Sequence, residues 1–331
     1  MPLWMVRAGR HGEQEQKAID NGFVTIGWNE LPDLSKIRTK DELKKLYNKV
    51  YPGQKKMAMA NEVGQIWRFL KEINIGDLVA LPLKTQAAIA IGEVKGNYEY
   101  RKDFGNLIRH IRKVKWIRVD IPRTDFDQDL LYSLGAAMTV CQIKRNNAEA
   151  RIKAMLEGKR IRRIKPPAEE ELGDIEQVSR DLILKKINQK FRGHELARLV
   201  EAVLIAQGYV TSRSEPGPDG GVDILAGSGP LGFDQPRICV QVKSSSSPIG
   251  VEILRALQGT MQSFKAEQGL LVSWGGFKRT VREEARRSFF TVRLWDSGNL
   301  LNEILKYYDK FPDDLKAELP LKKIWSPVLE E

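Results

Sequence analysis

The sequence has little of what would place a protein in a membrane or outside the cell. Among 331 residues there are two cysteines, Cys141 and Cys239, far apart and each in an apolar stretch. They form no CxxC pair, which argues against a disulfide framework and a zinc site and makes a reducing cytoplasm the expected setting. No run approaches the roughly 18 to 20 apolar residues that cross a bilayer, so no membrane partner is expected. The opening Met1-Pro2-Leu3-Trp4-Met5-Val6-Arg7 lacks the basic region, long apolar run and small-residue cleavage site of a secretory leader. There is no internal repeat, and no low-complexity tract beyond Ser244 to Ser247.

What is present reads as globular. Charged residues make up 29% and hydrophobic residues 42% of the chain, a balance that supports packed cores. The length suits two domains with a connector, each long enough to bury its own core. A net charge of +11 draws polyanions, because neutralised phosphates release their counterions. Many basic proteins never touch nucleic acid, so charge alone leaves that question open.

Residues 1–145 read as one α+β unit. Leu3 to Arg7 and Phe23 to Trp28 are short apolar runs with aromatic and β-branched members, as buried strands are. Thr39 stands three residues before Glu42, the spacing of a capping box at a helix start. A second helix is expected over Met59 to Ile73, with Val63, Ile66, Trp67 and Leu70 on one face. Asp77 to Leu83 and Gln86 to Val94 read as strands joined tightly through Lys84-Thr85, and Arg109 to Asp120 as another. Residues 146–190 form a charged helical connector, hinged at Pro166-Pro167 and acidic from Ala168 to Glu171.

Residues 191–331 read as an α/β domain. His194 to Gln207 is an amphipathic helix with Leu196, Leu199, Val200, Val203 and Leu204 on one face, and Gly208 ends it. Gly221 to Leu225 and Ile238 to Val242 are strand-like; Val251 to Lys265 is helical, Gly269 to Trp274 a strand, Arg279 to Ser288 helical and Val292 to Trp295 a strand. That succession gives a mixed sheet flanked by helices.

The chemistry-bearing spacing is Asp223 followed by Gln241-Val242-Lys243. Side chains alternate along a strand, so Gln241 and Lys243 share a face while Val242 enters the core. If the strand of Asp223 pairs beside this one, a carboxylate and an amide oxygen can hold a hard cation such as Mg²⁺. Lys243 would then orient an attacking water or stabilise developing phosphate charge. In isolation a Gly-Gly-Val-Asp turn and a strand lysine are commonplace; the order of elements around them is what is specific.

In that order the chain resembles a known family. His194-Glu195-Leu196, Gln207-Gly208-Tyr209, Gly217-Pro218-Asp219-Gly220-Gly221-Val222-Asp223-Ile224 and Val240-Gln241-Val242-Lys243 look like the Mrr branch of the PD-(D/E)XK nucleases. Gly269-Leu270-Leu271-Val272-Ser273 and Leu294-Trp295-Asp296, with Leu300, resemble its later strand and helix. The resemblance spans about residues 191–305. It implies a restriction-endonuclease-like fold and a Mg²⁺-dependent phosphodiesterase acting on double-stranded DNA, with Mn²⁺ as a substitute ion. Asp223 and Gln241 would be its metal ligands and Lys243 its catalytic lysine.

The sequence departs from the superfamily at the first helix, where the position of a further Glu is Ala197. Glu195, Glu201, Gln258 and Asp219 are therefore accessory candidates. Each also has an ordinary role open to it, on a helix surface or, for Asp219, in a Pro-Asp-Gly-Gly turn. His194 reads as a helix-start residue.

The first domain resembles PUA-like folds of the EVE and YTH kind. The likeness rests on Trp4-Met5-Val6-Arg7-Ala8-Gly9, Phe23-Val24-Thr25-Ile26-Gly27-Trp28, Ile75-Gly76-Asp77-Leu78-Val79-Ala80 and Ala90-Ile91-Gly92-Glu93-Val94. It implies a small closed sheet and a pocket that holds a flipped, modified base, where aromatic stacking offsets the loss of base stacking. Trp28, Trp4 and Tyr98 are the candidate walls, with core packing as the alternative for each. Arg101, Lys102, Arg109, Arg112, Lys113 and Lys115, together with Arg160, Arg162, Arg163 and Lys165 in the connector, are candidates for contacts to the DNA backbone.

These readings combine into a modification-dependent, type IV-like restriction endonuclease, possible as a homodimer because one active site cuts one strand. The alternatives are a DNA-binding protein with a weakened nuclease fold, or a repair or junction nuclease indifferent to base modification.

Overall fold

The computed structural model describes residues 2–9, 11–136, 138–159, 175–215 and 221–324. Two compact units make up the chain, one chiefly Met1–Ile121 with Phe126–Val178, the other Pro122–Asp125 with Ser179–Ser326.

The first unit runs β1 (Leu3–Val6), α1 (Glu15–Asn21), β2 (Phe23–Ile26), α2 (Lys40–Val50), α3 (Lys56–Trp67), β3 (Leu78–Pro82), β4 (Ala88–Tyr100), β5 (His110–Pro122), α4 (Gln128–Leu134), β6 (Val140–Ile143) and α5 (Ala148–Leu156). Its six strands form one sheet in the order β2-β5-β4-β3-β1-β6. β1 runs parallel to β3 and antiparallel to β6, whereas β2 and β5 are antiparallel. α2 starts as its sequence dictates: the Thr39 side chain accepts from the Glu42 amide and the Glu42 carboxylate accepts from the Thr39 amide, so two orphan N–H donors are satisfied reciprocally.

Three expectations for this unit change in detail. The helix over Met59 to Ile73 breaks after Trp67 into a π-helical turn, Arg68–Glu72. The turn exposes carbonyls that Arg112 collects from β5, its Nε donating to Phe69 O at 2.6 Å and its Nη2 to Leu70 O at 3.0 Å. The hairpin link between β3 and β4 is longer than Lys84-Thr85, because β4 begins only at Ala88 and then continues to Tyr100. The strand from Phe23 stops at Ile26, and Trp28 takes a left-handed backbone conformation with φ 57°.

α6 (Ile175–Lys190) precedes the second unit's ordered run of α7 (His194–Gln207), β7 (Val210–Arg213), β8 (Ile224–Ser228), β9 (Asp234–Lys243), α8 (Val251–Ser263), β10 (Gln268–Ser273), α9 (Arg279–Arg287), β11 (Val292–Asp296), α10 (Ser297–Tyr307) and α11 (Asp313–Glu318). The five strands are ordered β11-β10-β9-β8-β7. β9, β10 and β11 are parallel and β8 is antiparallel to β9, so this is the mixed sheet that the succession of elements implies. α7 ends on Gly208 at φ 100°, the left-handed cap that a glycine adopts without penalty. One apolar core lies under α8 and α9, built from Cys239, Leu254, Leu257, Leu271, Phe277 and Val281. The proline hinge at residues 166–167 and the acidic stretch after it lie outside the described residues. Among the described residues no helix is long and apolar enough to cross a membrane.

Candidate functional site

Parallel pairing brings the C-terminal ends of β9, β10 and β11 to one end of the sheet, and the start of β8 lies there too because β8 is antiparallel to β9. Asp223 immediately precedes β8. Its amide donates to Val240 O at 2.9 Å, and its Oδ2 accepts from the Val242 amide at 2.7 Å. The carboxylate is thereby fixed against the backbone between Gln241 and Lys243. Gln241 is 6% exposed, and its Oε1 is buried without a hydrogen-bond partner. A buried amide oxygen left unpaired costs roughly 1 to 3 kcal/mol, so its position calls for a donor or a cation. Lys243 ends β9 half-buried, and its carbonyl accepts from the Trp274 amide at 2.8 Å, which ties the strand end to β10. Its ammonium has no ion-pair partner among the described residues.

Lys243 lines a cleft of about 510 Å³ with Ser244, Ser245, Ser247, Gly250, Glu252 and Lys278. The cleft has a fixed wall. Ile249 donates to Gly276 O and Lys278 donates to Ile249 O, both at 3.1 Å, so the loop after β9 pairs with the turn after β10. That turn approaches so closely that a Cβ on Gly275 would stand 2.4 Å from the Ser246 carbonyl carbon. Glu252 and Lys278 escaped the sequence reading; the one available sign was Gly275-Gly276 between a strand and a helix.

The accessory candidates are held elsewhere. Glu195 is exposed and paired with Arg198 at 2.8 Å. Glu201 accepts from Thr211 Oγ1 at 3.1 Å and Arg213 Nε at 2.9 Å, which binds α7 to β7. Gln258 donates to Ser288 Oγ at 2.9 Å, toward the end of α9. All three make structural contacts rather than joining Asp223. Ala197 is buried in the core, so no carboxylate enters from that position. His194 starts α7. Asp219, Gly217, Arg160, Arg162, Arg163 and Lys165 lie outside the described residues. Among the described residues no three His, Cys, Asp or Glu side chains gather as a metal cluster. The donor set at the strand ends is accordingly one carboxylate and one amide oxygen, all-oxygen chemistry that fits a hard divalent cation completing its shell with water.

In the first unit Trp4 is 2% exposed and its indole donates to Asp77 Oδ2 at 2.9 Å. It is a core residue and not a pocket wall. Trp28 is half-buried, with its indole donating to Glu62 Oε2 at 2.5 Å; Tyr47 donates to the same oxygen. Tyr98 is also half-buried and linked to the Trp28 turn. Its hydroxyl accepts from the Leu34 amide at 3.1 Å and donates to His110 Nδ1 at 2.8 Å, while His110 Nε2 donates to Trp28 O at 3.3 Å. Burial pushes the His110 imidazole down to about 4, so the ring stays neutral.

The six-residue basic group of the first unit does not act as one surface. Arg112 is 3% exposed and spends its donors on backbone carbonyls, and burial lowers its guanidinium to about 10. Arg112 is therefore a structural residue and not a contact to the DNA backbone. Arg101 pairs with Asp103 at 2.5 Å and Lys113 with Glu99 at 3.2 Å, and Arg109 donates to Asn106 at 2.8 Å. Lys102 and Lys115 are exposed. Cys141 and Cys239 are free and buried, and burial pushes both thiols up to about 11.

Residues 188–304 match the Mrr_cat restriction endonuclease family, so the second unit carries a restriction endonuclease domain. Residues 4–142 match DUF8426, a domain of unknown function. No curated protein matches the chain. Three solved structures are similar to it in part. One is titled a protein of unknown function, AF1548, at 15% identity and TM-score 0.24; the match covers 35% of this chain and 58% of that one. The MspJI restriction endonuclease in complex with a 27-mer oligonucleotide has 16% identity and TM-score 0.33, over 96% of this chain and 79% of that one. The DNA modification-dependent restriction endonuclease AspBHI has 14% identity and TM-score 0.34, over 90% and 87%.

Proposed function

We propose that the protein is a modification-dependent restriction endonuclease of the type IV kind, which hydrolyses phosphodiester bonds of double-stranded DNA at Asp223, Gln241 and Lys243. The observation that carries this reading is the buried, partnerless Gln241 Oε1 on the strand whose backbone fixes Asp223 through Val240 and Val242, inside a domain of an endonuclease family. Asp223 and Gln241 would hold Mg²⁺, with Mn²⁺ as a substitute; such an ion supplies Lewis-acid stabilisation of phosphoryl charge. The Val242 amide holds the Asp223 carboxylate in place. Lys243 brings a positive charge to the strand end, where it orients the attacking water and stabilises charge that develops on the phosphate oxygens.

The first unit is read as the PUA-like module that recognises the modified base. Trp28 and Tyr98 support this reading as half-buried aromatics held through Glu62, His110 and Leu34. Stacking on such rings offsets part of the cost of flipping a base out of the duplex. A double-strand cut requires two such sites, which a homodimer supplies, and restriction of incoming DNA belongs in the cytoplasm. A second reading, a DNA-binding protein with a weakened nuclease fold, is favoured because no cluster of three metal-ligating side chains forms among the described residues.

Replacing Asp223 or Lys243 with alanine separates the two. The nuclease reading predicts that each variant loses about a hundredfold or more in cleavage rate, a loss typical of removing one charge-stabilising group, while it folds and keeps most of its duplex binding. Normal cutting by either variant would place the chemistry elsewhere. A parent chain that binds duplex and cuts none with Mg²⁺ or Mn²⁺ would favour the binding protein.

A further inference from the structure

The cleft beside Lys243 holds more than the cutting site needs. Its second cation, Lys278, is exposed, sits at the entry to α9 and has no ion-pair partner among the described residues. Ser244, Ser245 and Ser247 line the same space, and of their hydroxyls that of Ser245 donates to Ser247 O at 3.3 Å. The backbone positions are fixed by the Ile249–Gly276 and Ile249–Lys278 hydrogen bonds and by the close approach of Gly275 to Ser246. Among the described residues one carboxylate lines the cleft, that of Glu252, and it folds back over Gly250: a Cβ there would stand 2.2 Å from Glu252 Oε2. An anion therefore already rests in the cleft of the free protein.

We propose that this cleft is a second phosphate subsite, for a DNA phosphate neighbouring the one that is cut, with Lys278 and the serine hydroxyls as its ligands and Glu252 as the internal anion that the phosphate displaces. The assignment of the phosphate to DNA rests on the nuclease reading. Lys243 and Lys278 line one cleft, so a strand whose scissile phosphate meets Lys243 runs past Lys278, which takes a neighbouring phosphate. Lys278 fixes the register of the strand and takes no part in bond breaking. Glu252 repels the backbone until that contact forms, which disfavours loosely seated DNA.

The test measures duplex affinity across a salt series in EDTA, so that binding is read without cleavage, for the parent, Lys278→Ala and Glu252→Gln. Loss of one phosphate contact should weaken binding for Lys278→Ala and reduce the slope of log K against log salt by about one. Glu252→Gln should bind more tightly than the parent. With Mg²⁺, Lys278→Ala should show a raised KM and an unchanged kcat at saturating duplex. Parental affinity and slope in Lys278→Ala would overturn the subsite even if the parent cuts DNA normally. Unchanged binding in Glu252→Gln would overturn the displaced-anion role. If the binding effects appear and no chain cuts DNA with either ion, the subsite stands and the nuclease reading falls.

Discussion

At the scale of single residues, what sets the candidate site apart is how few charges the described residues bring to it. Asp223 is locked by the Val242 amide, and Gln241 presents a neutral oxygen where a second carboxylate would bind a cation more strongly. Gln241→Glu should therefore lower the Mg²⁺ concentration needed for half-maximal cleavage; an unchanged or raised requirement would remove Gln241 from the metal-binding set. His110 makes a separate prediction about stability. Its imidazole is pushed down to about 4 by burial, and Nε2 holds its proton against Trp28 O. The unfolded chain takes up a proton near pH 6.5, whereas the folded chain does so only near 4. Stability from this group is thus full above pH 6.5 and is lost as the pH falls toward 4, by about 3 kcal/mol at the limit. Denaturant unfolding at pH 7 and pH 4.5 should show a smaller acid loss in His110→Gln than in the parent. An equal loss in both would mean that His110 does not set it.

At the scale of elements, the second unit works because loops close on strand ends. Gly275 allows the turn after β10 to touch the Ser246–Ser247 backbone, where any side chain would collide with main-chain atoms that cannot rotate away. Gly275→Ala should destabilise the second unit by about 1 to 3 kcal/mol, as overpacking does, and weaken duplex binding through the distorted cleft. Full stability in a denaturant titration would show that the turn has slack. The elements with strong local signals were legible in the sequence. The 3.6-residue apolar period and terminal glycine marked α7, Thr39 and Glu42 marked α2, and alternation on the QVK strand put Gln241 and Lys243 on one face. Elements shaped by tertiary contacts were not legible. β7 is short, polar and exposed, so it carries no period. The π-helical turn after α3 is matched by Arg112, 43 residues on from Phe69, and no local pattern separates that buried arginine from its exposed neighbours. Trp4 stood as a wall candidate beside core packing because the sequence cannot show that Asp77 accepts a hydrogen bond from its indole.

At the scale of the whole molecule, a net charge of +11 and a restriction endonuclease domain at residues 188–304 point to a polyanionic partner. Affinity for duplex should fall steeply and linearly with log salt; a flat dependence would contradict a binding mode built on phosphate contacts. The division of labour makes a further prediction. Trp28→Ala should reduce discrimination between modified and unmodified duplex and leave the metal requirement of cleavage as it was. Unchanged discrimination would assign Trp28 to packing alone.

The most direct measurement is cleavage of matched duplexes, unmodified, cytosine-modified and adenine-methylated, with Mg²⁺ or Mn²⁺, beside Lys243→Ala. Cutting restricted to a modified duplex and abolished in Lys243→Ala is the predicted result. Equal cutting of all three duplexes would contradict the modified-base reading, and cutting that survives in Lys243→Ala would contradict the active site.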